Sequence, residues 1–102
     1  MRIEVKQEHI DAAVRTRRWA WINPNWREKI TTKCIVAQAL KAAGYEYIKV
    51  GYMYCWFGRT EDALEWHNGK RLDNVGAELT MLQPKQWRQV LPCTIEIHED
   101  ES

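Results

Sequence analysis

The sequence lacks several features that would assign it to a common functional class. Basic and acidic residues nearly balance, at 15 against 14 in 102 residues, which excludes the strongly basic profile of a whole-surface nucleic-acid binder. No apolar run approaches the roughly 20 residues that span a bilayer, so no membrane partner is expected. The five glycines match neither a P-loop nor a dinucleotide fingerprint. Any phosphate site must therefore be built from side chains.

Cysteine and histidine are few and scattered. There are three of each, and no pair has the spacing of a metal site such as Cys-x-x-Cys. The odd number of cysteines, with no recognisable secretory leader before the first strand, predicts free thiols in a reducing cytoplasm. No metal, cofactor or catalytic constellation is predicted, and we expect a binding protein rather than an enzyme. The six residues are Cys34, Cys55, Cys93, His9, His67 and His98.

Hydrophobic patterning predicts one α+β domain over residues 1–98, followed by an acidic, frayed tail at 99–102. Ile3 and Val5 alternate with charged residues as in a half-buried strand, and Ile95 and Ile97 repeat this pattern. The expected order is β-α-α-β-β-(β)-α-β, a small mixed or antiparallel sheet with two main helices packed on one face. The predicted segments are a strand at 2–6, a helix at 7–17, a helix capped by Thr31 or Thr32 and ended by Gly44, one or two strands within 45–57, a short helix at 84–91 and a strand at 94–98.

Two segments are less regular. Residues 18–30 have no clean period and contain Asn23-Pro24-Asn25, which is typical of a turn, so a packed or functional loop is expected. Residues 60–72 fit either a helix that begins near Thr60 or a hairpin about Asn68-Gly69, and we favour the hairpin.

Six tryptophans are more than a core of this size can house, so some should line a groove or an interface. Three of them lie in a segment rich in arginine. Guanidinium groups bind phosphate oxygens and indole faces stack on bases, so this segment is a candidate site for a phosphorylated nucleotide. The alternative is a solvated helix end whose tryptophans enter the core with arginines lying over them. The candidate residues are Arg15, Arg17, Arg18, Trp19, Trp21, Trp26 and Arg27.

A second aromatic cluster falls within the central strands. A strand with aromatic residues on both faces is a stacking platform of the kind that sheets offer to single-stranded nucleic acid. The alternative, which we favour, is a central strand buried between helices and a partner subunit. The surplus of aromatic surface also predicts self-association. The candidate residues are Tyr52, Tyr54, Trp56 and Arg59.

Two segments resemble a family of small uncharacterised phage and prophage proteins. Residues 3–11, Ile-Glu-Val-Lys-Gln-Glu-His-Ile-Asp, resemble the strand and His-Ile helix with which those proteins begin. Residues 34–40 resemble the family's Cys-Pro-Ile/Val-Ala-x-Ala-Leu helix, with Ile35 in place of the proline. Residues 17–30 and 58–83 are expanded relative to that family. The resemblance implies a phage origin and no established chemistry.

Small phage proteins of this size are often inhibitors of host defence, so the resemblance favours that class by association. The expected function is that of a phage-encoded accessory protein in the cytoplasm of an infected bacterium, a homo-oligomer that sequesters a nucleotide-type ligand. One alternative is a protein–protein inhibitor of a host protein, with tryptophans as anchors. Another is a small nucleic-acid-binding protein, against which the balanced charge counts.

Overall fold

The computed structural model describes the backbone of residues 1–22 and 33–98, and the side chains of residues 1–16 and 33–98. The predicted tail at 99–102 lies outside the described residues. The strands are β1 (Arg2–Val5), β2 (Tyr47–Val50), β3 (Tyr54–Gly58), β4 (Lys70–Leu72) and β5 (Cys93–His98). The α-helices of the described residues are α1 (Gln7–Ile22), α2 (Ile35–Ala42) and α3 (Asn74–Met81), and short 3-10 helices lie at Glu61–Leu64, Trp66–Asn68 and Pro84–Gln89.

The strands form one antiparallel sheet in the order β1-β5-β4-β3-β2, which confirms the α+β class. Strand β5 lies between β1 and β4, with Ile95 opposite Ile3 and Ile97 opposite Leu72. The N-terminal ammonium extends this pairing, because it donates to the Ile97 carbonyl oxygen at 2.8 Å. The first and last strands of the described chain, β1 and β5, therefore lie side by side.

The core lies between the sheet and the helices. Strands β1 and β5 bury every second side chain, so each contributes its apolar residues to the same face. Helix α2 contacts β1 and β2, α3 contacts β4 and β5, and α1 packs on α2 and on the 3-10 helix Pro84–Gln89. The largest fully buried side chains are Trp87, Ile10, Ile35, Leu40, Leu72, Ile95, Ile97, Val5, Val36 and Cys55.

The start of α1 is closed by a histidine. The backbone N–H of Lys6, the residue before the helix, donates to Nδ1 of His9 at 3.0 Å. His9 thus takes the part that Glu or Gln plays in a capping box, where the third helical residue accepts from the backbone of the cap. Val5 and Ile10 are both buried beside this turn, as expected for a hydrophobic staple.

Helix α2 confirms the predicted C-terminus and corrects the predicted N-terminus. Gly44 has φ +103°, the left-handed conformation that favours glycine after a helix. The helix begins at Ile35, with Cys34 as its cap residue and no capping hydrogen bond from that side chain. The predicted caps, Thr31 and Thr32, lie outside the described residues.

Two predicted helices have different bounds in the structure, and one helix was not predicted. Helix α1 continues to Ile22, five residues beyond its predicted end at Arg17, although residues 18–22 carry no clean amphipathic period. Helix α3 at Asn74–Met81 was not predicted. The helix predicted at 84–91 is a shorter 3-10 helix, Pro84–Gln89. Trp87 is buried there, whereas Leu91 lies beyond the 3-10 helix and is 78% exposed.

The favoured hairpin at residues 60–72 was also wrong. Asn68 closes a 3-10 turn, because its N–H donates to the Glu65 carbonyl oxygen at 2.9 Å. Gly69 has φ −61°, whereas a two-residue Asn-Gly hairpin turn requires positive φ at both residues. The chain instead forms 3-10 turns and then enters β4, which pairs with β3 and β5.

Asp73 joins α3 to the sheet. Its Oδ1 accepts from the Gly76 N–H at 2.8 Å, which caps the helix, and its Oδ2 accepts from the Glu96 N–H at 3.0 Å. Its own N–H donates to the Glu96 carbonyl oxygen at 2.9 Å. One side chain therefore satisfies a helix terminus and a backbone group of β5 together.

Replacing Asp73 with alanine should lower the free energy of unfolding by about 1–3 kcal/mol, because a helix cap and a second hydrogen bond are lost. Asp73→Asn should lose less, since its amide oxygen still caps the helix while its NH₂ group cannot accept from Glu96. Asn74→Ala at the next, exposed position is the control and should stay within about 0.5 kcal/mol of wild type. Urea unfolding measures all three, and an unchanged midpoint for Asp73→Ala would contradict this role.

Candidate ligand-binding face of the sheet

The first predicted site, the basic-aromatic segment of residues 15–27, falls mostly on side chains that are not described. Arg15 is exposed on α1, in the helical layer. The structure does not bring it together with the aromatic residues of β3, which lie on the sheet. Outside the described side chains lie Arg17, Arg18, Trp19, Trp21, Trp26 and Arg27. Their role as a site stays a prediction.

The second predicted site belongs to the face of the sheet opposite the helices, called the open face below. Along β3, Cys55 and Phe57 are buried on the helical side, whereas Tyr54 points outward and is 42% exposed. Strand β3 is an interior strand of the sheet, and within the described chain helices cover one of its faces. Whether a partner subunit covers the other face, as the favoured interpretation has it, stays a prediction. The outward residues of the open face are Arg2, Glu4, Tyr47, Lys49, Tyr54, Trp56, Arg71, Thr94, Glu96 and His98.

The outward side chains of β2, β3 and β4 combine aromatic rings with cations. Tyr54 lies directly opposite Arg71 on β4, and Trp56 lies directly opposite Lys49 on β2. Neighbouring strands are about 4.8 Å apart, so each ring has a cation within reach on the next strand. We call this surface the aromatic-basic half; it consists of Tyr47, Lys49, Tyr54, Trp56 and Arg71.

The other half of the open face, on β1 and β5, is mixed in charge. Arg2 and Glu96 are opposite in register, and their side chains form an ion pair at 3.2 Å between Nε and Oε1. Glu4 adds a further carboxylate on β1. The open face is therefore divided, with aromatic rings and positive charge toward β2 and paired or negative groups toward β1.

Trp56 is held in a defined position within the aromatic-basic half. A Cβ added at Gly69 would lie 3.0 Å from three atoms of the indole, and one added at Gly51 would lie 3.4 Å from a fourth. The indole Nε1 donates to the Trp66 carbonyl oxygen at 3.3 Å, and the Lys49 ammonium lies 5.1 Å from the ring centroid. Two glycines, a hydrogen bond and a cation–π contact thus orient one side chain.

The turn segment, residues 60–69, closes one corner of the open face. A Cβ added at Gly58 would overlap the Ala63 side chain, so the segment packs directly on the end of β3. The Asn68 amide donates to the Asp62 carbonyl oxygen at 2.7 Å and ties the two 3-10 turns together. Trp66, in the same segment, is 85% exposed. The sequence of residues 60–69 has no hydrophobic period that predicts this packing. The one sequence feature related to it is the pair of flanking glycines, Gly58 and Gly69.

The turn between β2 and β3 decides on which face of the sheet the aromatic residues of β3 lie. Val50 and Tyr54 have the same parity, so an uninterrupted strand would place both side chains on one face. The turn instead places Val50 inward and Tyr54 outward, with Met53 at φ +65° and Tyr52 62% exposed between them. Arg59 is exposed where β3 gives way to the turn segment. Tyr52 and Arg59 therefore flank the aromatic-basic half at opposite ends of β3.

The cysteines do not form a reactive centre within the described residues, and no group of three or more His, Cys, Asp or Glu there is arranged to hold a metal ion. Burial raises the pKa of Cys34 to about 11 and that of Cys55 to about 12. Partial burial and the negative charge of Asp73 raise the pKa of Cys93, which lines an open cavity of about 310 Å³ beside β1. All three are thiols rather than thiolates at neutral pH.

Comparison of the chain with protein-family models, with curated proteins and with solved structures finds no match. Among the described residues, no helix is long and apolar enough to cross a membrane. The functional argument therefore rests on the open face itself.

Replacing Gly69 with alanine should lower the free energy of unfolding by about 1–3 kcal/mol, because the added methyl group displaces the Trp56 indole. The backbone of Gly69 is extended and tolerates alanine, so the expected cost is purely steric. The double variant Gly69→Ala/Trp56→Leu should recover part of the loss, since the clashing ring is gone. A Gly69→Ala protein that unfolds at the wild-type urea concentration would show that the indole is not held against the backbone of Gly69.

Alkylation of the native protein with iodoacetamide should modify Cys93 first, because Cys34 and Cys55 are buried and held as thiols. The rate at Cys93 should rise with pH above neutrality, since its pKa is raised and only the thiolate reacts. Peptide mass spectrometry after timed quenching gives the order, and denatured protein, in which all three should react, is the control. Modification of Cys34 or Cys55 as fast as Cys93 in native protein would contradict the packing described here.

Proposed function

We propose that the protein binds a nucleotide-type ligand stoichiometrically at the aromatic-basic half of the open face, and that it acts without catalysis. The observation that carries the proposal is the register that sets Tyr54 opposite Arg71 and Trp56 opposite Lys49. A base stacked on either ring has a cation beside it to receive its phosphate. The outward positions of β2, β3 and β4, all within the described residues, carry no carboxylate that would repel this anion.

The proposal keeps the basic-aromatic segment of residues 15–27 as a second region of ligand contact. Arg15 lies in the helical layer and Tyr54 on the opposite surface of the sheet, so one small ligand cannot touch both in a single chain. The proposed protein is a homo-oligomer, as its surplus of aromatic surface predicts.

We further propose that the protein is phage-encoded and acts in the cytoplasm of an infected bacterium as an inhibitor of host defence. The support is the resemblance of residues 3–11 and 34–40 to small phage and prophage proteins. Stoichiometric sequestration needs no reactive group, which agrees with cysteines whose raised pKa values make them poor nucleophiles.

A second candidate function is the inhibition of a host protein by direct contact. The observation that favours it is the exposure of two large apolar side chains, Trp66 at 85% and Leu91 at 78%. Exposed tryptophans are frequent anchors of protein interfaces. This candidate predicts that a host protein copurifies with the chain, that Trp66→Ala abolishes the copurification, and that nucleotides have no effect.

Calorimetric titration with ATP as the probe should detect binding that Tyr54→Ala weakens by roughly 5- to 150-fold, because stacking on an aromatic ring is worth about 1–3 kcal/mol. Tyr54→Phe retains the ring and should bind within about threefold of wild type by the same argument. Arg17→Ala/Arg18→Ala tests the basic-aromatic segment in the same way, and size-exclusion chromatography with light scattering reports whether each variant keeps its oligomeric state.

Leu91→Ala is the matched control, since Leu91 is exposed but lies outside the open face, and its affinity for ATP should be unchanged. The remaining ribonucleotides, as mono- and triphosphates, serve as further probes. If none of them binds at millimolar concentration, and short oligonucleotides also fail to bind, the proposed function is wrong. The host-protein candidate would then take its place.

A further inference from the structure

We infer that the ligand of the open face is single-stranded nucleic acid, which runs along β3 with successive bases stacked on Tyr54 and Trp56. The inference rests on the proposed function and narrows it from nucleotides in general to a strand of them. Four features of the aromatic-basic half carry it: the spacing of its rings, the placement of its cations, its openness, and the acidic residues at its borders.

The ring spacing favours an unstacked strand. Tyr54 and Trp56 are two residues apart on the same face of β3, which sets them about 6.7 Å apart along the strand. Stacked bases in a duplex are about 3.4 Å apart. Two neighbouring bases can therefore occupy both rings only if they are separated from each other, as in an extended single strand. A mononucleotide uses one ring and leaves the other exposed.

The cations flank the rings on both sides. Lys49 lies on β2 and Arg71 on β4, so a backbone that follows β3 passes between two positive charges. The Lys49 ammonium lies over the Trp56 ring at 5.1 Å from its centroid. A base that stacks there takes its place, and the exposed Lys49 side chain turns to the adjacent phosphate. The cation thus holds the ring in the free protein and the strand in the complex.

Within the part of the chain that the structure describes, the aromatic-basic half is open rather than enclosed. Tyr47 and Tyr54 are exposed, and the ring of Tyr52 lies beyond them at the end of the strand. A flat surface does not surround a small ligand, so a mononucleotide gains few contacts on it. A nucleic-acid strand gains one stacking contact and one phosphate contact for each nucleotide that binds to the surface. The shape therefore favours a strand over a monomer.

Acidic groups border the surface and limit its length. Glu96 and Glu4 lie on the far half of the sheet, where Glu96 is paired with Arg2. The turn segment adds Asp62 and Glu65 at the Gly58 end. A polyanion is therefore favoured on β2, β3 and β4, where two outward cations, Lys49 and Arg71, can bind its phosphates. For single strands the salt dependence is about −0.7 per phosphate contact, so the slope of log K against log[salt] should be about −1.4.

The test is fluorescence anisotropy with the full chain and end-labelled (dT)10, titrated at several salt concentrations. We expect (dT)10 to bind at least tenfold more tightly than dTMP in competition, and to bind far more tightly than a ten-base-pair duplex, with the slope given above. Labelled (U)10 in parallel shows whether RNA or DNA is the better ligand, and binding of either strand supports the inference.

Two sets of variants locate the strand on the protein. Tyr54→Ala should weaken binding of (dT)10 by roughly 5- to 150-fold, and Lys49→Glu/Arg71→Glu should weaken it strongly, because two phosphate-binding cations are replaced by carboxylates that repel the strand. The charge-matched control is Lys85→Glu/Arg88→Glu, on the 3-10 helix of the helical layer, which should bind as wild type does. Circular dichroism confirms that each variant is folded, and if Tyr54→Ala is not, the charge variants decide alone.

The outcomes separate this inference from the function on which it rests. If dTMP or ATP binds the open face as tightly as (dT)10, the inference is wrong and the proposed nucleotide site stands. Equal affinity for duplex and single strand also overturns it. If (dT)10 binds equally well to wild type and to Lys49→Glu/Arg71→Glu, the strand lies elsewhere and the inference fails. Absence of binding by every nucleotide and oligonucleotide overturns both.

Discussion

A single layer of helices can cover only one face of a five-stranded sheet, and this constraint shapes the rest of the molecule. The apolar residues of every strand are gathered on the helical side, where Trp87 and Ile95 are among the most buried side chains. The opposite face, which no helix of the described residues covers, carries side chains compatible with water. Its outward residues are charged, aromatic with a polar edge or, at Thr94, hydroxylic, and the backbone of Gly69 packs against the Trp56 indole. The aromatic-basic half is therefore accessible to a ligand because the helices pack on the other face of the sheet.

Elements with a local and unambiguous period were predictable from the sequence. Strands β1 and β5 alternate strictly, and α2 ends at a glycine that adopts the expected left-handed conformation. The remaining elements depended on contacts between distant residues. Strand β4 has three residues, too few for a period, and it exists because β3 and β5 lie on either side of it. Helix α3 is short and contains Gly76, so its clearest signal was Asp73 at the cap.

The candidate site was partly predictable for the same reason. Tyr54 and Trp56 were recognised from aromatic composition, but the face on which they lie depends on the turn before them. That turn uses Met53 at positive φ, a position where sequence reasoning looks for glycine or asparagine. The cations were not predicted, because Lys49 and Arg71 reach the rings only through the register of β2 and β4. Residue types indicated the chemistry, and strand pairing decided which residues meet.

The position of β5 has a consequence for synthesis. This strand is made after β1 and β4 and yet lies between them, so neither can complete its pairing until residues 93–98 have left the ribosome. At about 5–20 residues per second, β1 waits several seconds with a free edge. A product that stops before Pro92 would carry two unpaired edges and expose Ile3 and Leu72, which are sites for aggregation and proteolysis. The order of strands thus makes the folded protein available only once nearly the whole domain has been translated.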